Sequence, residues 1–531
     1  MKHLASLLAA PALFGAFVVA FGGTGCGART ELVLPDARDA DAETETEPPK
    51  ECLETKDCPG FDDKCAPVSC LANKCVAGAK VVCDDKDPCT DDTCEPATGK
   101  CKFEPSTLDL DGDGHRAPLA GKKPGEPGSC GDDCDDKSAA AFPGNKEICD
   151  GVDNDCDGIV DNDARYVPPA TGPDAIRVSG DVQEASPAGL AFANEQYLAM
   201  YNGRLSGKLR VYGAALDPLG NKLSESLLNK STVDSVEGRV AWNGAQFGVV
   251  WSDRRDASWE LYFSRLDKTG AKLDPDLRIS EGDGSWSIGA SLVWTGKEFV
   301  VAFQDQRDLD PQFNVWGQRI SVDGKLVGGN VKLVDDVSSG PDLAVGLGTL
   351  GIVWTQQISA TQYDSYLRIL SRELAPVSEP IKISSGKSGE SPTLVWNGDR
   401  YVVAFFDKVG APKTIYGAAY DEKGGVVVPL TQLTESPKFS RYPAMLPLGD
   451  RILLVWSDTK DGASGYELYS KMLDKKLVAI GGESRITSAP GESVGAGMAF
   501  GPKGDVGVLF RDDRLGTVQT YFTRLVCTAG K

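Results

Sequence analysis

The sequence predicts an all-β protein: a seven-bladed β-propeller behind a small disulfide-rich, metal-binding, loop-rich N-terminal module. Three observations carry this. An apolar strand ending in an aromatic residue recurs seven times, at Tyr201, Trp251, Phe303, Trp354, Phe405, Trp456 and Phe510, with gaps of 50, 52, 51, 51, 51 and 54 residues. A fixed period in this range marks an array of supersecondary units. Each unit has two apolar strands joined by a short turn, a third such as ELYFSRLD or TIYGAAYD, and a fourth such as LRIS, VKLV, IKIS or SRIT. The third observation is composition: 60 Gly, 31 Pro and 8% aromatics, with no helical periodicity, suit strands and turns.

Taken in chain order, residues 1–25 read as a signal peptide, since MKH precedes an apolar core ending at GGTGC. Cys26 directly after it resembles the lipidated cysteine of bacterial lipoproteins, although Gly23 stands where such boxes usually carry Leu. Gly27 rather than Asp follows, so the resemblance implies an outer-membrane or cell-surface lipoprotein of the Gram-negative type, held by lipid alone. Residues 26–50 are acidic and poor in apolar side chains, a flexible, self-repelling tether.

Residues 51–105 form a Cys-rich module. Nine cysteines fall between Cys52 and Cys101 and four between Cys130 and Cys156. Exported modules with little core are stapled by disulfides, and the spacing lacks the paired CxxC of a zinc site. With Cys26 set aside, 14 of the 15 cysteines remain, an even number. Cys527, alone in the propeller, is expected to bridge to this cysteine-rich stalk.

Residues 106–165 carry the assignable chemistry. DLDGDGH sets Asp109, Asp111 and Asp113 at alternate positions before Gly114; DNDCDGIVD repeats this with Asp153, Asp155, Asp157 and Gly158, then Asp161. Alternating carboxylates around a Gly turn converge on one point, as a hard oxygen-seeking cation requires. The candidate metal set is Asp109, Asp111, Asp113, His115, Asp133, Asp136, Asp153, Asp155, Asp157, Ile159 and Asp161. Ala120 and Ala164 replace the bidentate Glu of an EF-hand, leaving the last ligand to DDCDD, Asp150 or Asp163. Affinity is expected at about 10⁻⁴–10⁻³ M.

The run DCDDKSAAAFPGNKEICDGVDNDCDGIVD, about residues 108–163 with its surroundings, resembles the metal-binding motif of MopE-type surface proteins. That resemblance implies copper. The residues argue for calcium, because copper prefers imidazole, thiolate or thioether, and His115 is the one histidine beyond the signal segment.

Residues 166–531 are the propeller. The seventh unit ends after three strands, and AIRVSG (175–180) is expected to supply the fourth, closing the ring without an open edge. The units look similar to sialidase-like and other BNR-type propellers but lack the SxDxGxTW Asp-box, so sialidase activity does not carry over. After the aromatic a second pattern repeats: Asp253-x-Arg255, Asp305-x-Arg307, Asp458-x-Lys460 and Asp512-x-Arg514, with Asp407 unaccompanied. It reads as turn-stabilising ion pairs. The alternative is a ligand-binding face, with Trp259 and Trp286 stacking on a sugar.

A net charge of −21 makes nucleic acid a poor partner. No GxSxG, HExxH or Gly-rich phosphate loop is present. The expectation is a non-catalytic surface protein binding protein or polysaccharide partners. A propeller-based glycosidase or polysaccharide lyase is the alternative, and no oligomeric state is readable.

Overall fold

The computed structural model describes residues 52–528, apart from 150–151, 159, 162–163, 171–173, 230–231, 387, 408–411 and 462–464. The signal segment, Cys26 and the tether lie outside the described residues, as does Ile159. Among the described residues, no helix is long and apolar enough to cross a membrane.

The chain divides into two compact units. The smaller contains residues 52–85 and 92–103. It is built on a hairpin of Val68–Leu71 with Lys74–Ala77 and on four disulfides, Cys52–Cys70, Cys58–Cys75, Cys65–Cys94 and Cys83–Cys101. Its buried apolar residues are Cys52 and Cys58 alone. Cross-links that restrict the unfolded chain therefore do what a core too small to fold unaided cannot.

The larger unit contains residues 86–91 and 104–528, so the Asp/Cys-rich motif clusters with the propeller. Six blades are four-stranded antiparallel meanders: residues 184–227, 235–278, 287–334, 338–382, 390–432 and 440–485. The seventh has three strands, Ser493–Phe500, Val506–Asp512 and Gln519–Thr528. Its outer edge is covered by Ile176–Arg177, paired to Phe522 and Tyr521, and by Arg165–Val167, paired to Thr528, Cys527 and Val526. Ring closure by the segment preceding blade 1 is as expected; the second closing segment, 165–167, is too short to show a strand pattern in sequence.

Seven apolar clusters make the core, one between each pair of neighbouring blades. Each repeat aromatic is fully buried in the cluster shared with the preceding blade. Each also lies directly across from an aromatic on the third strand: Tyr201 from Tyr212, Trp251 from Tyr262, Phe303 from Trp316, Trp354 from Tyr366, Phe405 from Tyr416, Trp456 from Tyr469 and Phe510 from Tyr521. Directly opposed aromatics contribute about 0.5–1 kcal/mol each beyond their burial. This explains why the aromatic, rather than any polar residue, carries the period.

Candidate functional site

The Asp/Cys-rich motif folds around two acidic centres. In the first, Asp109 turns the loop: its Oδ1 accepts the Gly112 N–H at 2.6 Å and its Oδ2 the Gly114 N–H at 3.0 Å. Gly112 and Gly114 have φ of 85° and 99°, conformations that side chains resist, so the tight turn needs glycine at both. Asp111 and Asp113 each use Oδ1 on a backbone N–H two residues on. That leaves Asp111 Oδ2 and Asp113 Oδ2 buried without a partner, and Asp133 Oδ2 is in the same condition. Carboxylate oxygens of Asp109, Asp111 and Asp113 lie within 4.8 Å of one another.

Asp133 is 1% exposed. Its carboxyl is pushed up by burial and by the like charges of Asp113, Asp111 and Asp136, against the hydrogen bond from the Asp135 N–H. Buried like charges facing one another without counter-charge are unfavourable unless a cation joins them. Asp136 braces the loop by accepting the Leu110 N–H at 3.0 Å.

The second centre joins Glu147, Asp153 and Asp155, again within 4.8 Å. Asp153 Oδ2 accepts the Gly158 N–H at 2.8 Å, repeating the turn of the first loop. Glu147 Oε1 accepts the N–H groups of Asn154 and Asp155 at 2.6 and 2.9 Å, while its Oε2 is buried and unpartnered. Burial raises the Glu147 carboxyl, and Asp155 and Asp153 add to this. Glu147 was not among the sequence candidates; it lies outside the alternating pattern, and the chain reversal through Pro143 and Gly144 carries it back to the loop.

Other candidates are placed differently. Asp161 is fully buried and forms an ion pair with Arg451 of blade 6. Asp157 is exposed, and its N–H bonds to Asp153 and Asp155. The His115 imidazole meets Asp132 at 3.0 Å and stacks on Phe142 at 4.9 Å; the Asp132 hydrogen bond raises its pKa. The neighbouring cysteines are consumed in Cys134–Cys156, Cys89–Cys130 and Cys149–Cys527. The donor set at both centres is therefore carboxylate oxygen, which fits a hard cation and does not fit copper. The last disulfide is the expected bridge from Cys527 to the cysteine-rich stalk.

On the propeller, Asp253, Asp305, Asp407, Asp458 and Asp512 are all buried, at 1% exposure or less. The Arg307 fork donates to Asp305 through Nε and Nη2 at 2.9 and 2.7 Å, and Arg514 does the same to Asp512 at 2.9 and 2.8 Å. Arg255 Nη2 donates to Asp253 at 2.8 Å. Each cation also covers a third-strand aromatic: Arg255 over Tyr262 at 4.0 Å, Arg307 over Trp316 at 4.2 Å, Lys460 over Tyr469 at 4.1 Å and Arg514 over Tyr521 at 4.6 Å. Asp407 instead accepts the N–H groups of Ser385, Gly386 and Ser388. Asp458 accepts Ser436, Ser440 and Trp456 side chains and the Lys460 N–H. These groups hold blades together internally. Trp259 lies under Arg254 at 5.6 Å, and Trp286 is 44% exposed.

The channel face has a feature that the repeat aromatics hide. Each first strand carries a bulge, followed by a residue paired to the one before the repeat aromatic. This ring position reads Gly189, Arg239, Ser291, Asp342, Thr393, Ala444 and Gly497, two charges among small residues. Five of the seven line a central cavity of about 430 Å³. Asp342 Oδ1 accepts Ser291 Oγ at 3.1 Å and the Leu343 N–H at 3.1 Å; Oδ2 accepts Thr393 Oγ1 at 3.1 Å and the Leu394 N–H at 3.0 Å. It ties three consecutive blades, and burial raises its carboxyl. The signal for this ring was a fixed offset of 12 residues before Tyr201, Trp251, Phe303, Trp354, Phe405 and Trp456, with 13 before Phe510.

A family model of the copper-binding MopE type, described as a metal-binding motif, matches residues 133–162. A Dictyostelium (slime mold) repeat matches residues 82–105. No curated protein matches the chain. Among solved structures, it is similar to the propeller domain of the Trilobed protease from Pyrococcus furiosus (10% identity, 64% of this chain and 95% of that one, TM-score 0.41). It is also similar to Kuenenia stuttgartiensis hydrazine synthase (14%, 66% and 98%, TM-score 0.43). A further similarity is to a subtype N10 neuraminidase-like protein of an influenza A virus from the little yellow-shouldered bat (8%, 68% and 98%, TM-score 0.41). The seven disulfides mark an extracytoplasmic protein.

Proposed function

We propose that this chain is a cell-surface lipoprotein, anchored through Cys26 to the outer membrane, whose calcium-stabilised motif supports a non-catalytic propeller that binds a protein or polysaccharide. The observation that carries the calcium reading is the trio of buried, unpartnered oxygens on Asp111, Asp113 and Asp133. Asp109, Asp111, Asp113, Asp133 and Asp136 would hold one ion, and Glu147, Asp153 and Asp155 a second. Bound there, calcium supplies charge neutralisation and a fixed loop geometry. The binding reading is supported by the internal use of the repeated carboxylates. Among the residues lining the channel cavity, Asp342 is the single carboxylate, whereas glycoside cleavage ordinarily uses two about 5–9.5 Å apart.

The test is a calcium titration of the soluble form beginning at residue 27, with calorimetric melting in calcium and in chelator. Calcium should raise the transition at up to millimolar levels, and Asp133→Asn should abolish most of the rise. An unchanged melt would remove calcium from this reading. Glycan and protein arrays then test the propeller, and hydrolysis of an arrayed glycan would favour the glycosidase alternative. Loss of Cys26→Ser from the membrane fraction tests the anchor.

A further inference from the structure

Arg239 is the single basic residue lining the channel cavity. Its Nη1 donates to Ala188 O at 2.8 Å and to Gly238 O at 3.1 Å, which pins the guanidinium against the wall between blades 1 and 2. Nε and Nη2 have no hydrogen-bond acceptor among the described residues. Asp342, the opposing charge in the ring, is close enough to feel the Arg239 charge but makes no hydrogen bond to it, its two oxygens accepting from Ser291, Thr393 and two backbone N–H groups. The three arginines of the Asp–Arg pattern are each bound to their own aspartate, and Lys460 is bound to Glu483. Arg239 is thus set apart: a fixed cation with an unused edge, facing an open volume.

The remaining walls define the rest of a ligand. Leu190, Val240, Leu292, Leu343 and Met498 border the cavity, and Gly497 keeps it open on the blade 7 side. A volume of about 430 Å³ suits a small organic molecule. From this juxtaposition we infer that the propeller channel is a binding site for a small organic carboxylate, its carboxylate on the outer edge of Arg239 and its body in the open volume bordered by the inner strands of blades 1, 3, 4 and 7. An Arg edge pairs with a carboxylate through two parallel N–H···O bonds, a geometry lysine cannot reproduce. The inference extends the binding role proposed above to a specific ligand chemistry, and it stands independently of calcium and of the anchor.

N-acetyl-leucine is a suitable probe, with N-acetyl-leucine amide as its uncharged counterpart. Calorimetric titration into the whole soluble chain should show saturable, one-to-one binding of the acid, with the amide at least about tenfold weaker, the loss expected for one charge-assisted hydrogen bond. Arg239→Met should lose the acid and Arg239→Lys should recover only part of it. Gly497→Val supplies a second arm that leaves Arg239 untouched. A Cβ there meets nothing closer than Leu190 Cβ at 3.9 Å, so the variant should fold and fill the cavity. It should weaken binding with an unchanged melting temperature. Equal affinity for acid and amide, binding unaltered in Arg239→Met and Gly497→Val, or no saturable binding at millimolar acid would each overturn the inference. Failure here with intact array binding would leave the general binding role standing.

Discussion

Asn202 Oδ1 accepts the backbone N–H of Glu237 at 2.9 Å across the junction of blades 1 and 2. Glu237 has φ 60° and sits in the bulge of its inner strand. The arrangement repeats: Gln304 takes the Gly340 N–H at 2.8 Å and Ser457 the Gly495 N–H at 3.1 Å. The acceptor in each case directly follows a repeat aromatic. The bulge frees an N–H from its own ladder, and the preceding blade satisfies it. Neighbouring blades are thus registered by hydrogen bonds as well as by apolar packing.

That geometry predicts a stabilising substitution. Ser391 occupies the same bulge position with φ 51° and is exposed, where blades 3, 4 and 7 carry glycine. A left-handed conformation costs an L-residue about 1–2 kcal/mol, and glycine returns part of that gain as unfolded-state entropy. Ser391→Gly should stabilise by about 0.5 kcal/mol. A lowered melting temperature would refute the strain argument.

Arg307 is held by Asp305, Asn330 and Glu281 and sits over the Trp316 ring at 4.2 Å, with its side chain 8% exposed. Removing it strands the buried Asp305 carboxylate. Arg307→Met should cost about 3–5 kcal/mol, and Arg307→Lys should recover little of it because the two-pronged contact is lost. Chemical denaturation measures both; near-neutral behaviour of the methionine variant would show that Asp305 finds another partner.

The propeller's acid response should have two opposing parts. Burial raises the Asp253 carboxyl, but the Arg255 and Asn229 hydrogen bonds outweigh it and hold the group below its ordinary value. Its stabilisation is present above the unfolded pKa of about 3.9 and is lost as pH falls through the lower folded value. Glu260 is raised by burial despite Ser280 and Ser258. Its contribution is present below about pH 4.3 and is lost as pH rises through the raised folded value. The deficit of Asp253→Asn relative to the parent should therefore shrink on acidification below about pH 4. Glu260→Gln should instead gain on the parent as pH rises. Melting curves across this range give both signs, and parallel behaviour of the two variants would contradict the assignment.

Cys149–Cys527 spans 378 residues of sequence and fastens the metal-binding motif to the last strand of blade 7. Replacing both cysteines with alanine should cost about 2–5 kcal/mol. The same loss should follow mild reduction of the parent, whereas the double variant should be indifferent at that bond. Unaltered melting of the variant would mean that Arg165–Val167 and the Asp161–Arg451 pair close the ring unaided.

The blade count, the blade limits and ring closure were legible because burial between blades demands one large aromatic per unit at one depth, and that demand prints a period on the sequence. The paired Asp and Arg were legible for the same reason. Their meaning was decided by burial: Asp305 and Asp512 lie at 1% exposure with their guanidinium partners, positions that hold a turn rather than a ligand. The alternating aspartates announced a cation loop, since local spacing alone converges them.

Glu147, Asp161 and Arg239 could not be read this way. Glu147 joins its centre through a chain reversal, Asp161 leaves the loop for an arginine nearly 300 residues on, and Arg239 is distinguished only by the six ring residues from other blades. The amino-acid pattern by itself determined the repeat, the disulfide-dependent character and the acidic loops, because each follows from contacts that recur or stay local. Tertiary structure alone decided which charges are satisfied and which face open volume. That depends on partners brought from distant blades and on how much water each position retains.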